Sequence, residues 1–406
     1  MKRWFSAAVC VVLMAFVSSG YCEDWPQFRG INRDGKSPET GLLKTWPAGG
    51  PRLLWACEEL GDGFGSLSIA GGAVYTTGLA GAQGLVYAVD LDGKLKWKKE
   101  YGPDWSGDRP GTRTTPTYED GKLYLVSGKG KIFCLDAATG DEKWSLDAVG
   151  RFRGKIPNWG IAESPLIVGN KVLCTPGGPE ASVIALDKKT GKVLWTTKGL
   201  SEGSSYCSPI LVPAGRSPIV VTMLVNLVVG IAPETGKVLW QQVHRTRVPV
   251  HAVSPVYDNG YLYVTSGYGS GGDMFKLSAD GREITKLWSD KNLDCHHGGV
   301  VALDGCIYGS SSNGNWVCLS EQDGQMTFKD RGVGKGSIIG ADGMLYCFGE
   351  NGTMGLVKAS PQKYDLVSSF KITKGSREAW AHPAISNGIL YLRRGNALMA
   401  YDIKQK

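Results

Sequence analysis

The residues of this chain best equipped for chemistry are histidines, arginines and tryptophans that share no local motif. His251, His296, His297 and His382, four of the five histidines, each stand shortly before an alternating apolar run. Imidazole pairs can hold a metal through their ring nitrogens. They can equally hydrogen-bond backbone groups in long connections, and no metal site is assigned. Connections of the same kind carry Arg109, Arg113, Arg153 and Arg247, and the forked donors of Arg109, Arg113 and Arg247 could hold an anion or simply be solvated. Trp159 and Trp380 could stack on a sugar or quinone ring, or only cover an opening, and Tyr206 lies in a connection of the same kind. Glu163 could act as a general base if buried beside a partner. No catalytic residue follows from spacing alone. Taken together, these residues describe a polar, aromatic-lined ligand pocket, provided the fold brings Arg109 and His382 to one place.

A repeat supplies that fold. ALDKKTGKVLW (Ala185–Trp195) and GIAPETGKVLW (Gly230–Trp240) are its clearest copies, and AVDLDGKLKW (Ala88–Trp97) and CLDAATGDEKW (Cys134–Trp144) are close variants. Weaker copies end at Trp288, Phe328 and Phe370, and a truncated one, AYDIKQK, occupies Ala400–Lys406. Successive copies start roughly 40 to 50 residues apart, a period that signals repeated blades. In each, an alternating run ends at a Thr-Gly or Asp-Gly pair, which supplies the positive φ of a tight hairpin. A second run then reaches the Trp, an apolar anchor for packing between blades.

The other half of each blade opens on a small or polar residue and Pro, as in SPLIVGNKVLC (Ser164–Cys174) and SPVYDNGYLYV (Ser254–Val264). Two hairpins make four strands. The last copy stops just after its turn, and PRLLWACEEL (Pro51–Leu60) resembles an outer strand with nothing before it. That segment supplies the missing strand and closes the ring, leaving only short edges. The expected fold is all-β: an eight-bladed β-propeller of four-stranded antiparallel blades. Residues 1–22 read as a signal peptide, 23–50 as an N-terminal extension and 51–406 as one propeller, a monomeric ring. In a propeller the connections into the innermost strands converge on one mouth of the channel, and there the histidines, arginines and tryptophans should meet. His251 and His296 fall at equivalent positions of consecutive blades. Trp25 and Phe28 of WPQFRG should pack on the propeller, with Arg29 as a polar tie.

Other classes are excluded or unsupported. The formal net charge of +7 is scattered, with no basic stripe interleaved with aromatics, so nucleic acid is not a partner. Lys2, Arg3 and the short apolar run Ala7–Val17 fit a signal peptide and are too short for a membrane span. The expected location is periplasmic or secreted. Tyr21 before Cys22 argues against lipidation. No C-x-x-C pair exists, and Cys134, Cys174, Cys306, Cys318 and Cys347 read as buried strand thiols. GYGSGGD (Gly267–Asp273) lacks the Lys-Ser or Lys-Thr of a phosphate loop, and DLDG (Asp90–Gly93) lacks the later ligands of a calcium loop.

The repeat ALDKKTGKVLW resembles the blade motif of the PQQ-like β-propeller superfamily. DWPQFRGINRDGKS (Asp24–Ser37) is similar to the start of exported bacterial proteins carrying such repeats. The superfamily includes quinoprotein dehydrogenases and non-catalytic propellers, among them the propeller lipoprotein of the outer-membrane β-barrel assembly machinery. The resemblance implies the fold; it does not by itself imply an activity. The dehydrogenases would bring PQQ with calcium, large insertions and an adjacent Cys pair. No Cys-Cys pair stands here, and their catalytic Asp and calcium ligands match no positions of this chain. The expectation is an exported, non-catalytic binding or scaffold protein with a protein or envelope-polymer partner. A PQQ-dependent alcohol or sugar dehydrogenase and a carbohydrate-active propeller are the alternatives.

Overall fold

The computed structural model describes residues 24–405, so the expected signal peptide lies outside the described residues. The chain is all-β, with eight four-stranded antiparallel blades built from residues 68–103, 117–147, 166–196, 210–243, 256–290, 295–330, 336–371 and 384–402. The eighth blade takes its outer strand, Arg52–Cys57, from the start of the chain. That strand pairs antiparallel with Ala397–Asp402, Leu53 opposite Tyr401 and Trp55 opposite Ala400. The ring is therefore closed by the segment that resembles an orphan outer strand. Among the described residues a single five-residue helix, Ala148–Phe152, sits between the second and third blades.

The repeat's glycine and tryptophan work as a pair. Each anchor indole donates to a carbonyl in the next blade: Trp97 to Ala137, Trp144 to Lys188, Trp195 to Pro233, Trp240 to Gly281, Trp288 to Glu321 and, across the closure, Trp55 to Leu91. The turn glycine of that next blade lies under the ring. A Cβ on Gly191 would stand 2.6 Å from Trp144, and one on Gly236 would stand 2.4 Å from Trp195. Both glycines also have positive φ, 69° and 74°. The Thr-Gly pair thus makes the hairpin and the seat for the neighbour's Trp at once. An irregularity in strand pairing just ahead of the anchor, as between Ala185 and Leu186, turns the ring toward that seat. Truncating such an anchor to Ala should cost about 3–5 kcal/mol.

The seventh blade departs from the repeat as read. Phe370 ends its copy, but the register sets Ser368 opposite Leu356, just beyond the pairing irregularity, where the other blades carry the anchor. Trp46 from the N-terminal extension fills the place instead. Its backbone N–H donates to Ser368 Oγ at 2.9 Å, and its ring packs 6.1 Å from Tyr346 and 5.3 Å from Phe370. All eight cysteines among the described residues are buried free thiols.

Candidate functional site

The N-terminal extension does more than pack on the outside: it crosses the lumen. Trp25 exchanges two backbone hydrogen bonds with Ile69 of the first blade, and Pro26 accepts from Tyr118 N–H of the second. Arg33 donates to the carbonyls of Ser164 and Pro165 at the third blade and Pro209 at the fourth. Lys36 pairs with Asp258 of the fifth at 3.6 Å. Arg29 donates to Val300 O of the sixth, and Lys36–Ser37 run parallel to Gly340 and Ala341 of the seventh. Both arginines are fully buried and adopt left-handed backbone, φ 63° and 58°. Burial lowers each guanidinium to about 10, still charged at neutral pH. Arg33 uses all its nitrogens, the last on Gln27 Oε1 and Thr117 Oγ1.

The plug leaves a pocket of about 530 Å³ at the mouth where the innermost strands begin. Phe28 forms part of its floor, edge-on to His382 with ring centroids 5.0 Å apart. His382 Nε2 donates to His297 O, so its Nδ1 accepts from Arg29 Nη1 at 3.1 Å. Burial and the neighbouring Arg29 hold this imidazole well below its ordinary pKa, which agrees with a neutral ring. One wall is an arc of rings: Phe64 to Trp380 at 4.4 Å, Trp380 to His297 at 5.1 Å, His297 to His296 at 4.9 Å and His296 to Tyr268 at 4.9 Å. Facing it, Trp159 packs near Tyr206 and donates from Nε1 to Asp108 at 2.9 Å. Glu350 accepts from His297 Nε2 at 2.7 Å and pairs with Lys335 at 2.9 Å. Burial acts to raise the Glu350 carboxyl, but these two contacts outweigh it and keep it a carboxylate. Burial lowers both His296, to about 3, and His297.

Eight of the residues singled out from sequence meet at this pocket: His296, His297, His382, Arg109, Arg113, Trp159, Tyr206 and Trp380. Four do not line it: His251, Glu163, Arg247 and Arg153. His251 is wholly buried in the wall, with Nε2 donating to Val225 O and Nδ1 accepting from Ser266 Oγ. It differs from His296 because the sixth blade's first strand is irregular between Cys295 and Val300, around Gly298 and Gly299, and this aims His296 and His297 inward. Glu163 is buried and accepts from the Thr175 N–H and hydroxyl. Burial raises its carboxyl to about 7, although the Thr175 bonds and Arg33 oppose the rise. Arg247 is exposed outside the pocket, and Arg153 pairs with Glu180. The sequence reading missed Phe28, Phe64, Tyr268, Lys335 and Glu350. Phe64 and Lys335 also lie shortly before innermost strands, a position that could have found them.

The pocket does not fit a calcium-bound quinone. Calcium takes about six to eight oxygen ligands, and the three carboxylates at this pocket are engaged apart from one another. Glu350 is held by His297 and Lys335, Asp108 by Trp159, and Glu378 by Arg109 at 2.8 Å. No group of three or more His, Cys, Asp or Glu suited to a metal ion occurs among the described residues.

Comparison with known proteins places the chain near both branches of its superfamily. Quinoprotein alcohol dehydrogenase PedH of Pseudomonas putida is 30% identical over 241 residues, 53% of this chain but only 35% of its own length. The chain thus spans about a third of that relative. Outer membrane protein assembly factor BamB of Bordetella pertussis is 24% identical over 304 residues, 72% of each chain. Among solved structures, BamB from Moraxella catarrhalis superposes with a TM-score of 0.64 at 16% identity, covering 87% of this chain and 98% of its own. The quinohemoprotein alcohol dehydrogenase of Comamonas testosteroni gives 0.66 at 12%, covering 95% and 81%. These likenesses show the fold. A family described as outer membrane protein assembly factor BamB matches residues 82–330, more than half of the sequence, and the chain belongs to that family of PQQ-type repeat propellers.

Proposed function

We propose that this protein is an exported binding or scaffold propeller of the cell envelope, periplasmic or secreted, that performs no redox chemistry itself. Its partner is a protein or an envelope polymer. The observation that carries this reading is the separation of the pocket's carboxylates, each engaged by a side chain of its own chain. A binding pocket tolerates that arrangement, whereas a calcium-quinone centre needs free oxygens converging on one point. The relative that matches over 72% of both chains is an assembly factor, which agrees with a binding role. No helix among the described residues is long and apolar enough to cross a membrane.

The similarity to quinoprotein dehydrogenases keeps one competing reading worth testing, a PQQ-dependent oxidoreductase. The purified mature protein is titrated with PQQ and calcium and followed by tryptophan quenching and melting temperature. A ligand specific for the folded state would raise the melting temperature. Unchanged melting and fluorescence are expected. Stoichiometric micromolar binding would overturn the binding-protein reading and make Trp159, Trp380, Arg109 and Arg113 the cradle to examine.

A further inference from the structure

We infer that the blind pocket is a receptor site for a neutral saccharide, whose terminal ring lies against the wall formed by Trp380 and His297. This rests on the binding reading above and names the ligand class of that same site.

The charges come first. The lining holds three cations, Arg109, Arg113 and Lys335, and three carboxylates, Asp108, Glu350 and Glu378. Arg109 is spent on Glu378 and Lys335 on Glu350. Asp108 accepts from Trp159, and Arg113 donates to the carbonyls of Gly111 and Arg109. Arg113 and Asp108 hold no ion pair, but the three cations and three carboxylates of the lining cancel, so a charged ligand would find no net counter-charge, and a neutral ligand needs none.

The rings come second. From Phe64 to Tyr268 the wall is an unbroken arc of aromatic side chains with successive centroids 4.4 to 5.1 Å apart. Aromatic faces attract the weakly positive C–H faces of a pyranose as they do other partially positive groups. The polar pairs at the rim then supply donors and acceptors for hydroxyls.

Two unsatisfied nitrogens select a hydroxyl in particular. Trp380 Nε1 and His297 Nδ1 are buried without a hydrogen-bond partner, on adjoining rings. The indole N–H can only donate. His297 Nδ1 is left to accept, because Nε2 carries the proton given to Glu350. One hydroxyl can accept from the first and donate to the second; a carboxylate or an ammonium can serve only one of them. Both nitrogens are covered, so contact requires the rings of the wall to shift as the ligand enters. The volume of about 530 Å³ lies in the range of about 300–1,000 Å³ usual for small-ligand sites, and the mouth lets a longer chain leave.

The test is a glycan array of neutral oligosaccharides alongside sulfated and uronate-bearing ones. Calorimetry with cellobiose, maltotriose, xylotriose and chitobiose follows, on the mature protein and on Trp380→Ala and Trp380→Phe. At least one neutral saccharide should bind, with an affinity that changes less than about twofold with salt, as expected when no net charge is involved. Trp380→Ala should weaken it roughly tenfold or more. Trp380→Phe keeps a ring without the N–H and should fall between, which also guards against a misfolded Ala variant. Binding of acidic saccharides alone, binding unaffected by either substitution, or no neutral saccharide bound would each overturn the inference. PQQ binding would instead sink the binding-protein reading. Cleavage of a bound saccharide would sink its non-catalytic character and leave the ligand class standing.

Discussion

The two ends of the central channel are built from similar residue types to opposite effect. In the lumen, Arg29 and Arg33 are fully buried and turn their donors on backbone carbonyls of three blades. At the mouth, Arg109 and Lys335 remain partly exposed and pair with carboxylates of the loops. A buried cation that satisfies several carbonyls cannot be removed without leaving each of them bare, so the plug is structure. A half-exposed ion pair exchanges readily with water or with a ligand, so the mouth is free to be a binding surface. Burial and the identity of the acceptor, rather than the presence of arginine, separate the two.

The sharpest way to break this comparison is Arg33→Met. It strands the carbonyls of Ser164, Pro165 and Pro209 inside the ring, and each bare buried group costs about 1–3 kcal/mol. A loss of about 3 kcal/mol or more is expected in urea unfolding, and a loss below about 1 kcal/mol would show that the plug is only an ornament of the ring. Gly299→Ala should follow at about 2–3 kcal/mol. Its φ is +72°, and the new Cβ would lie 2.0 Å from Arg29 Nη1 and 2.7 Å from His382. Because His382 borders the pocket, the same variant should also weaken ligand binding; an undisturbed pocket would separate the plug from the site above it.

Glu163→Gln tests the boundary between the two ends by pH. The folded carboxyl titrates near 7, above its ordinary value, so the folded state holds its proton more tightly than the unfolded chain. Its contribution to stability is full below about pH 4.5 and is lost as pH rises through 7. His251, held near 4 by burial, acts the other way: its contribution is present above about pH 6.5 and is lost as pH falls toward 4. Glu163→Gln should therefore gain up to about 3 kcal/mol on the wild type at pH 8 and show no gain at pH 4. A variant less stable at pH 8 would mean that the ionised Glu163 is needed beside Arg33.

The blades were legible because everything a blade needs is local. One Gly makes the turn and seats the preceding blade's Trp, as Gly191 seats Trp144, and the blade's own anchor follows within the same short motif, so every copy carries both halves of the joint. Blade seven was misread at its anchor because Trp46, which replaces it, arrives from more than 300 residues away. The mouth was legible in outline, since position before an innermost strand is a local property. Side-chain direction was not. His251 and Glu163 turn into the wall for hydrogen bonds with Val225, Ser266 and Thr175, and no spacing in the chain announces those partners. The plug's role was hidden for the same reason. Arg29 and Arg33 lie in a turn-rich stretch that reads as a surface strap, and only the ring's closure around it shows that their acceptors come from opposite blades.

At the mouth the smallest effect is expected, and it is the one that gives the comparison its meaning. Arg109 and Glu378 are 53% and 39% exposed, and their contact of 2.8 Å spans two loops rather than two packed strands. Exposed pairs of this kind contribute about 0–1 kcal/mol, because water replaces either partner and salt screens both. Arg109→Ala should therefore leave the urea midpoint within error of the wild type, while Arg33→Met, an arginine lost from the same channel, lowers it clearly. The variant also releases Glu378 and leaves the lining one cation short. If the pocket takes a neutral ligand because its charges cancel, that imbalance should weaken a neutral saccharide only about twofold to threefold, the order of one solvated hydrogen bond. A collapse in stability on losing this exposed pair would instead show that the loops of the mouth hold the ring together, and the division between a structural end and a receptive end would fail.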